Sequence, residues 1–142
     1  MNSKGEEGDF LKLEEEKARA IISEINFGKG LVTAIARDFR TKDILMVAHM
    51  NKQALIKTLT TGFVHYWSRS RKKLWLKGEK SKNYQLLKGV WIDCDGDSLI
   101  FDVEQIGGAC HMGYRSCFFR RLKDDRFKIM LRRKFKPEKV YE

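Results

Sequence analysis

Short segments in which apolar and polar residues alternate recur through most of the chain, separated by glycine or polar turns. Five of them are strand-like: GLVTAIARDF, DILMVAHM, FVHYWSRS, YQLLKGVWIDCD and DSLIFDVEQI. A period of two is typical of a β-strand with one buried face. Because short turns favour antiparallel neighbours, the sequence predicts a compact α+β domain built on antiparallel strands and short helices.

Two other segments have helical patterns. Residues 11–27 place their apolar side chains on one stripe, which predicts an amphipathic helix ending at Gly28. The segment KQALIKTLTT follows Asn51, a favourable N-cap residue, and precedes Gly62, a typical C-cap residue. We therefore expect a short second helix between these two residues.

The chain is strongly basic, with a formal net charge of +10. Residues 69–82, RSRKKLWLKGEKSK, hold seven basic residues and one glutamate, and a basic tail begins at Arg120. The density of charge in residues 69–82 indicates an anionic ligand, most simply phosphate. The tail lacks the interleaved aromatic residues of a nucleic-acid surface, so we interpret it as a solvated face.

The chain has neither an apolar run of membrane-spanning length nor the apolar core of a signal peptide, which predicts a soluble, cytoplasmic protein. Its three cysteines cannot all pair as disulfides within one chain, and a reducing cytosol would not keep them paired. Metal ligation or plain burial remain as their uses.

The segment WIDCDGDSL places three aspartates at steps of two, at Asp93, Asp95 and Asp97. If it is extended, the three carboxylates project from one face and Cys94 from the other. Carboxylates suit magnesium and thiolates suit zinc, so one short segment can serve two ions. The alternative is an acidic turn that binds no ion.

The segment ACHMGYRSC contains the other two cysteines, Cys110 and Cys117, in a glycine-containing loop that can bring both sulfurs to one ion. Cys94 would supply a third thiolate. The paired CxxC groups of most structural zinc sites are absent, and three thiolates leave one position for His111 or water. An open position is typical of hydrolytic zinc, which lowers the pKa of bound water to about 7. Buried, inert thiols are the alternative.

Four motifs together resemble the phosphoribosyl-AMP cyclohydrolase family: DILMVAHMNKQAL, HYWSRSRKKLWLKGEKS, DCDGD and VEQIGGACHMGYRSCFFR. The resemblance implies an intertwined α+β homodimer that depends on zinc and magnesium. The implied reaction is hydrolysis of the N1–C6 bond in the purine ring of phosphoribosyl-AMP, which gives the phosphoribosyl-formimino carboxamide ribotide in the third step of histidine biosynthesis. It also implies a helical N-terminal extension at residues 1–30, a catalytic domain at 31–120 and a basic tail at 121–142.

The resemblance also implies roles for particular residues. It places magnesium at Asp93, Asp95 and Asp97, and zinc at Cys94, Cys110 and Cys117, with ligands from both subunits so that activity requires the dimer. For proton transfer, we expect His65 or His111. The substrate carries a purine ring and two 5′-phosphates. The candidate residues for binding them are Trp67, Ser68, Arg69, Ser70, Arg71, Lys72, Lys73, Arg115 and Ser116.

Several positions depart from the family pattern without removing a metal ligand. His49 replaces a common tyrosine, Lys80 and Lys82 replace a threonine and a glycine, and Met112 replaces a threonine.

Two rival interpretations of the function are weaker. A zinc-dependent nucleic-acid-binding module expects the absent CxxC pairs, and a zinc nucleobase deaminase expects H-x-E with P-C-x-x-C, which the chain lacks.

Overall fold

The computed structural model describes residues 10–140, and a four-stranded sheet of mixed direction lies at its centre. In chain order the elements are α1 (Glu15–Ile22), β1 (Val32–Asp38), β2 (Ile44–Met50), α2 (Lys52–Thr61), β3 (His65–Ser68), β4 (Lys73–Leu76), β5 (Gln85–Ile92), β6 (Ser98–Gln105), β7 (Arg120–Lys123), β8 (Arg126–Ile129) and α3 (Pro137–Val140). The strand order of the central sheet is β2-β1-β6-β5, and β3-β4 and β7-β8 form two small sheets. The α+β class predicted from the sequence is confirmed.

Two hairpins make up the central sheet, and they join through their inner strands. β1 pairs with β2, and β5 with β6, in antiparallel fashion, whereas β1 and β6 are parallel, with Thr33 opposite Ser98. The expectation of antiparallel strands is wrong for that one pair. Turn chemistry fixes only strands that are neighbours in sequence, and the long connection between β1 and β6 permits the parallel arrangement.

The N-terminal helix is shorter than the pattern predicts. α1 begins at Glu15 rather than near Leu11, because the backbone N–H groups of Leu11 and Leu13 donate 2.7 Å hydrogen bonds to the carbonyls of Leu87 and Leu59. These bonds hold the chain extended before the helix starts. Tertiary contacts therefore override the apolar stripe in this segment.

The second helix, α2, has the predicted bounds. The side chain of Asn51 accepts a 2.8 Å hydrogen bond from the backbone N–H of Ala54, and Gly62 ends the helix with a φ of 79°. Its buried face packs towards β2 and β3. The cap residues alone were sufficient to place this element.

The core lies between one face of the central sheet and the helices. Its fully buried side chains include Leu45, Leu55, Tyr66, Leu87 and Phe101. The opposite face of the sheet is open and carries exposed apolar side chains, namely Ile44, Val47 and Trp91. We refer to these three residues as the open sheet face.

Part of the basic tail is a β-hairpin. The four residues of β7 and the four of β8 are all exposed, and their turn passes through Asp124 with a φ of 61°. The tail was expected only as a solvated basic face, because the charged residues obscure the alternation of its apolar side chains. No helix among residues 10–140 is long and apolar enough to cross a membrane.

Candidate metal centre and substrate cleft

The three aspartates converge at the turn between β5 and β6. Oxygens of Asp93, Asp95 and Asp97 lie within 4.8 Å of one another, and all three side chains are exposed. The segment is a turn rather than the extended strand considered from the spacing. Gly96, with a φ of 77°, reverses the chain, and the Asp93 carboxylate accepts hydrogen bonds of 3.1 Å from the N–H groups of Asp97 and Ser98.

Mutual repulsion and hydrogen bonding give the three carboxylates different proton affinities. Contacts with Asp97 and Asp93 raise the pKa of Asp95 above its ordinary value. For Asp93, desolvation acts upwards, but the N–H groups of Ser98 and Asp97 outweigh it and lower the pKa. A set of close carboxylates whose charges oppose one another favours a divalent cation with oxygen ligands.

The second cluster is the thiol pair, Cys110 and Cys117, which line the same cleft and lie close enough to interact electrostatically. The loop folds back on itself, since Ala109 N–H donates to Arg115 O at 2.9 Å and Cys110 N–H to Tyr114 O at 3.1 Å. This close return requires a glycine at position 108, where a Cβ would lie 2.6 Å from the Tyr114 carbonyl oxygen.

The environment of Cys117 disfavours its thiolate form. Partial burial raises the pKa of the Cys117 thiol to about 12, and the adjacent Cys110 acts in the same direction, although Cys117 retains exposed surface. The ammonium of Lys77 opposes both effects. A metal ion at this pair would have to displace the thiol protons, and its positive charge would stabilise the thiolates that form.

Cys94 is not part of the thiol pair within one chain. It is exposed on the aspartate turn. Across the part of the chain that the structure describes, the aspartates form the only group of three or more His, Cys, Asp or Glu ligand atoms within 4.8 Å of one another. The structure therefore brings two of the three predicted zinc ligands together in one protomer and leaves the third at a separate surface.

A cleft of about 450 Å³ opens beside the thiol pair. Cys110 and Cys117 line it together with His111, which is exposed, and Arg120 and Arg133 contribute positive charge. His65 lies elsewhere, half-buried on β3, where its Nδ1 is 2.7 Å from the Phe63 carbonyl oxygen. Burial is the main reason that the pKa of His65 is below its ordinary value.

The two predicted substrate contacts beside Cys117 have structural partners. Arg115 donates to the carboxylates of Asp38 at 2.7 Å and Asp43 at 3.1 Å. Ser116 is buried, and its hydroxyl donates to the Ile44 carbonyl at 2.7 Å. Both side chains anchor the loop that carries the two thiols, residues 109–117, to the strand β2 and the turn before it. We refer to this segment as the thiol loop.

The basic loop after β3 is open to solvent. Trp67 and Ser68 are partly buried at the end of β3, and the Ser68 Oγ accepts a 3.2 Å hydrogen bond from the N–H of Arg71. Within residues 10–140, none of the basic side chains in this loop forms an ion pair with a carboxylate. The exposed members of the predicted set are Arg69, Ser70, Arg71, Lys72 and Lys73.

Comparison with known proteins gives a consistent result. The family model described as phosphoribosyl-AMP cyclohydrolase matches residues 46–119. A protein named phosphoribosyl-AMP cyclohydrolase from Sulfurisphaera tokodaii is 50% identical over 116 residues, which cover 80% of this chain and 98% of the relative. Proteins of the same name from Methanothermobacter thermautotrophicus and Methanothrix thermoacetophila are 53% and 54% identical, covering 80% and 84% of this chain and 84% and 95% of the relatives.

The chain belongs to the phosphoribosyl-AMP cyclohydrolase family. The enzymatic activity expected from the sequence, in the histidine-biosynthetic step of that family, is thereby confirmed, and the alternative of a nucleic-acid-binding module is not favoured.

Two departures from the cyclohydrolase pattern have a visible structural context. His49 lies on β2, where burial lowers its pKa and the nearby charge of Arg69 adds to that effect. Lys82, at the position of a family glycine, adopts a φ of 66°. A lysine here keeps the left-handed backbone conformation for which glycine is best suited.

No local pattern marks the special position of one lysine in the basic segment, residues 69–82, of this cyclohydrolase. Lys77 is only 6% exposed, and its ammonium donates to the carbonyl of Ala109, the residue before Cys110. In the sequence it is one of the seven basic residues among residues 69–82. The apolar residues Leu74 and Leu76 nearby are the sole hint that the chain turns inwards there.

Proposed function

We propose that this chain acts as a zinc- and magnesium-dependent homodimer that hydrolyses the N1–C6 bond of phosphoribosyl-AMP. The observation that carries the proposal is the separation of the thiols. Cys110 and Cys117 are paired at a cleft, and Cys94 is exposed on another surface. A second copy that brought its Cys94 to this pair would complete a three-thiolate site.

The donor set fits zinc. Thiolate ligands favour zinc over magnesium, and three of them leave a coordination position free. When bound, zinc supplies Lewis-acid activation of the water that hydrolysis consumes. Cys110 is held by its buried contacts with Tyr114 and Phe119, whose rings stack at 3.7 Å, so that its sulfur faces the cleft from a fixed position.

Exposed apolar surface supports a homodimer. The open sheet face adjoins the aspartate turn that carries Cys94, and further exposed apolar side chains lie just before and on the β7–β8 hairpin, namely Phe118, Leu122, Phe127 and Ile129. Exposed apolar side chains grouped in this way are typical of an interaction site in soluble proteins. A second copy is the occupant that both covers apolar surface and supplies the missing thiolate.

The aspartate turn is the proposed magnesium site. Its three carboxylates are exposed and offer oxygen ligands, and they also leave room for the water ligands that magnesium retains. Substitution of Asp95 by Asn should weaken magnesium binding in a calorimetric titration while zinc content stays unchanged. Unchanged magnesium affinity in this variant would contradict the assignment.

A histidine near the thiols is the proposed group for the proton transfer in the hydrolysis. Hydrolysis adds water across the C6–N1 bond, so that the oxygen ends in the carboxamide and the departing nitrogen takes up a proton. His111 lines the same cleft as both thiols, whereas His65 does not line it. We therefore assign the proton transfer to His111 and leave His65 a supporting role in the strand β3.

The basic loop after β3 is the proposed binding site for the substrate phosphates. Arg69, Arg71, Lys72 and Lys73 are exposed and lack carboxylate partners within residues 10–140, so their charges are available to an anion. Guanidinium and ammonium groups bind phosphate through charge-assisted hydrogen bonds.

The free thiols fit a reducing compartment, and we place the enzyme in the cytoplasm.

A subunit-mixing experiment tests the proposal. Cys94→Ser and Cys117→Ser should each be inactive alone, and refolding them together at equal concentration should restore about a quarter of the wild-type activity. Half of the dimers are then mixed, and each mixed dimer holds one intact site of two. As a control, Cys110→Ser mixed with Cys117→Ser should stay inactive, because both lesions fall on the same side of the site. Absence of recovery in the first mixture, with dimers present by sedimentation, would contradict the shared site.

A further inference from the structure

We propose that Lys77 is a positioning residue for the zinc site, acting as the fixed counter-ion of the thiols and as the anchor of the loop that carries Cys110. The proposal rests on the zinc-dependent function proposed above. It extends it by giving a role to a residue that contacts the loop rather than the ion or the substrate.

The position of Lys77 is unusual for a lysine. It follows β4 directly, its backbone N–H donates to the Val64 carbonyl at 3.0 Å, and the residue is only 6% exposed. Its ammonium donates a hydrogen bond to the carbonyl of Ala109. Through this one bond, the small sheet β3–β4 is tied to the residue immediately before Cys110.

A buried ammonium group needs compensation, because removing a charge from water is costly unless it is paired. Within residues 10–140, no carboxylate oxygen lies within 4.0 Å of the Lys77 Nζ. Burial lowers the pKa of Lys77, and Cys117 and Cys110 are near enough that thiolate charge on them would oppose this effect. Thiolates formed on metal binding would therefore be the negative groups that act on this ammonium.

The charge of the proposed metal site favours a cation nearby. Three thiolates outweigh the two charges of a zinc ion and leave one negative charge in excess. Arg120 and Arg133 line the cleft, and Lys77 is the buried cation that is bonded to the loop carrying Cys110, where its charge would offset that excess. This differs from the role of the other lysines in residues 69–82, which are exposed and face solvent.

Three substitutions separate the charge from the packing and the hydrogen bond. Lys77→Met keeps the aliphatic stem without charge, Lys77→Gln keeps a hydrogen-bond donor without charge, and Lys77→Arg keeps the charge. Lys17→Met, at an exposed site on α1, is the matched control. The readout is the zinc dissociation constant, measured by competition with a chromogenic chelator on protein whose fold is checked by circular dichroism.

We expect Lys77→Met and Lys77→Gln to bind zinc about 10- to 100-fold more weakly than the wild type, which is the usual effect of losing a group that supports metal ligands. Lys77→Arg should restore most of the affinity, and Lys17→Met should match the wild type. Wild-type affinity in folded Lys77→Gln would overturn the counter-ion role, since that variant has lost the charge. If Lys77→Met fails to fold, the comparison of Lys77→Gln with Lys77→Arg decides alone.

The same titration distinguishes this inference from the function it rests on. A wild-type protein that binds no zinc would contradict the proposed function. A wild type that binds zinc tightly, together with Lys77→Gln that binds it equally well, would contradict the role of Lys77 and leave the zinc site intact.

Discussion

Arg115 donates a 2.7 Å hydrogen bond to the carboxylate of Asp38 at the end of β1. The two residues are 77 positions apart in sequence, and both side chains are largely buried. The pair fastens the thiol loop to the central sheet two residues before Cys117. The arginine that sequence reasoning offers as a phosphate ligand thus has a structural partner.

Replacing Arg115 with Met should therefore lower the free energy of unfolding. We expect a loss of about 2 kcal/mol, because the partly buried carboxylate of Asp38 loses a charged hydrogen bond. Urea denaturation measures it, and Arg121→Met on the exposed strand β7 is the control. A variant of unchanged stability with a raised KM would instead favour a phosphate contact.

Glycine at position 82 should stabilise the protein. Lys82 has a φ of 66°, and a non-glycine residue in that region costs about 1 to 2 kcal/mol, part of which the greater chain entropy of glycine offsets. We expect Lys82→Gly to raise the free energy of unfolding by up to about 1 kcal/mol. Lys80→Gly, at a neighbouring position without a positive φ, should lower it by about 0.5 to 1 kcal/mol. Equal losses in both variants would show that the lysine conformation carries no strain.

The contribution of Asp102 to stability should depend on pH. Burial acts to raise the pKa of Asp102, but hydrogen bonds from Arg37 Nε at 2.6 Å and Trp91 Nε1 at 2.8 Å outweigh it and lower the pKa. The unfolded state therefore binds the proton more readily, and the stabilisation is complete above the ordinary pKa of 3.8 and lost as the pH falls through the folded-state value.

Asp102→Asn tests this pH dependence by difference. The variant should be less stable than the wild type near neutral pH, and the gap should close as the solution is acidified below about pH 4. Thermal unfolding at a series of pH values gives the comparison. A gap that widened on acidification would mean that the pKa of Asp102 is raised in the folded state.

The two candidate histidines should differ in their effect on turnover. His111→Ala should reduce kcat by about 10² to 10⁴ with zinc retained, the usual range for loss of a proton-transfer group. His65→Ala should keep most of the activity, because His65 is half-buried and its Nδ1 faces the Phe63 carbonyl. Steady-state assays with metal analysis separate the two. The reverse result would move the proton role to β3.

Local signals in the sequence were sufficient for several elements. The Asn51 and Gly62 caps fix α2, and alternation places Val64 and Tyr66 on one face of a strand, which is the buried face in the structure. These features depend on neighbouring residues alone, so a single sequence contains them. The aspartate group was also found from spacing, although a turn rather than a strand brings the carboxylates together.

Features set by distant contacts were beyond the sequence. The start of α1 depends on a hydrogen bond to Leu87, and the burial of Lys77 depends on the loop at Ala109. Nothing local distinguishes Lys77 from its exposed neighbours. Likewise, three cysteines indicate a shared ion, but their spacing does not reveal that Cys94 lies apart from the other two within one protomer.

The parallel pairing of β1 with β6 also imposes an order on synthesis. Thr33 meets Ser98 across 65 residues, so β1 has its hairpin partner but lacks its inner neighbour until β6 has left the ribosome. The thiol loop follows β6 in the chain. A nascent polypeptide therefore completes its sheet before its two paired cysteines have emerged, so the proposed zinc site would form late in the maturation of this enzyme.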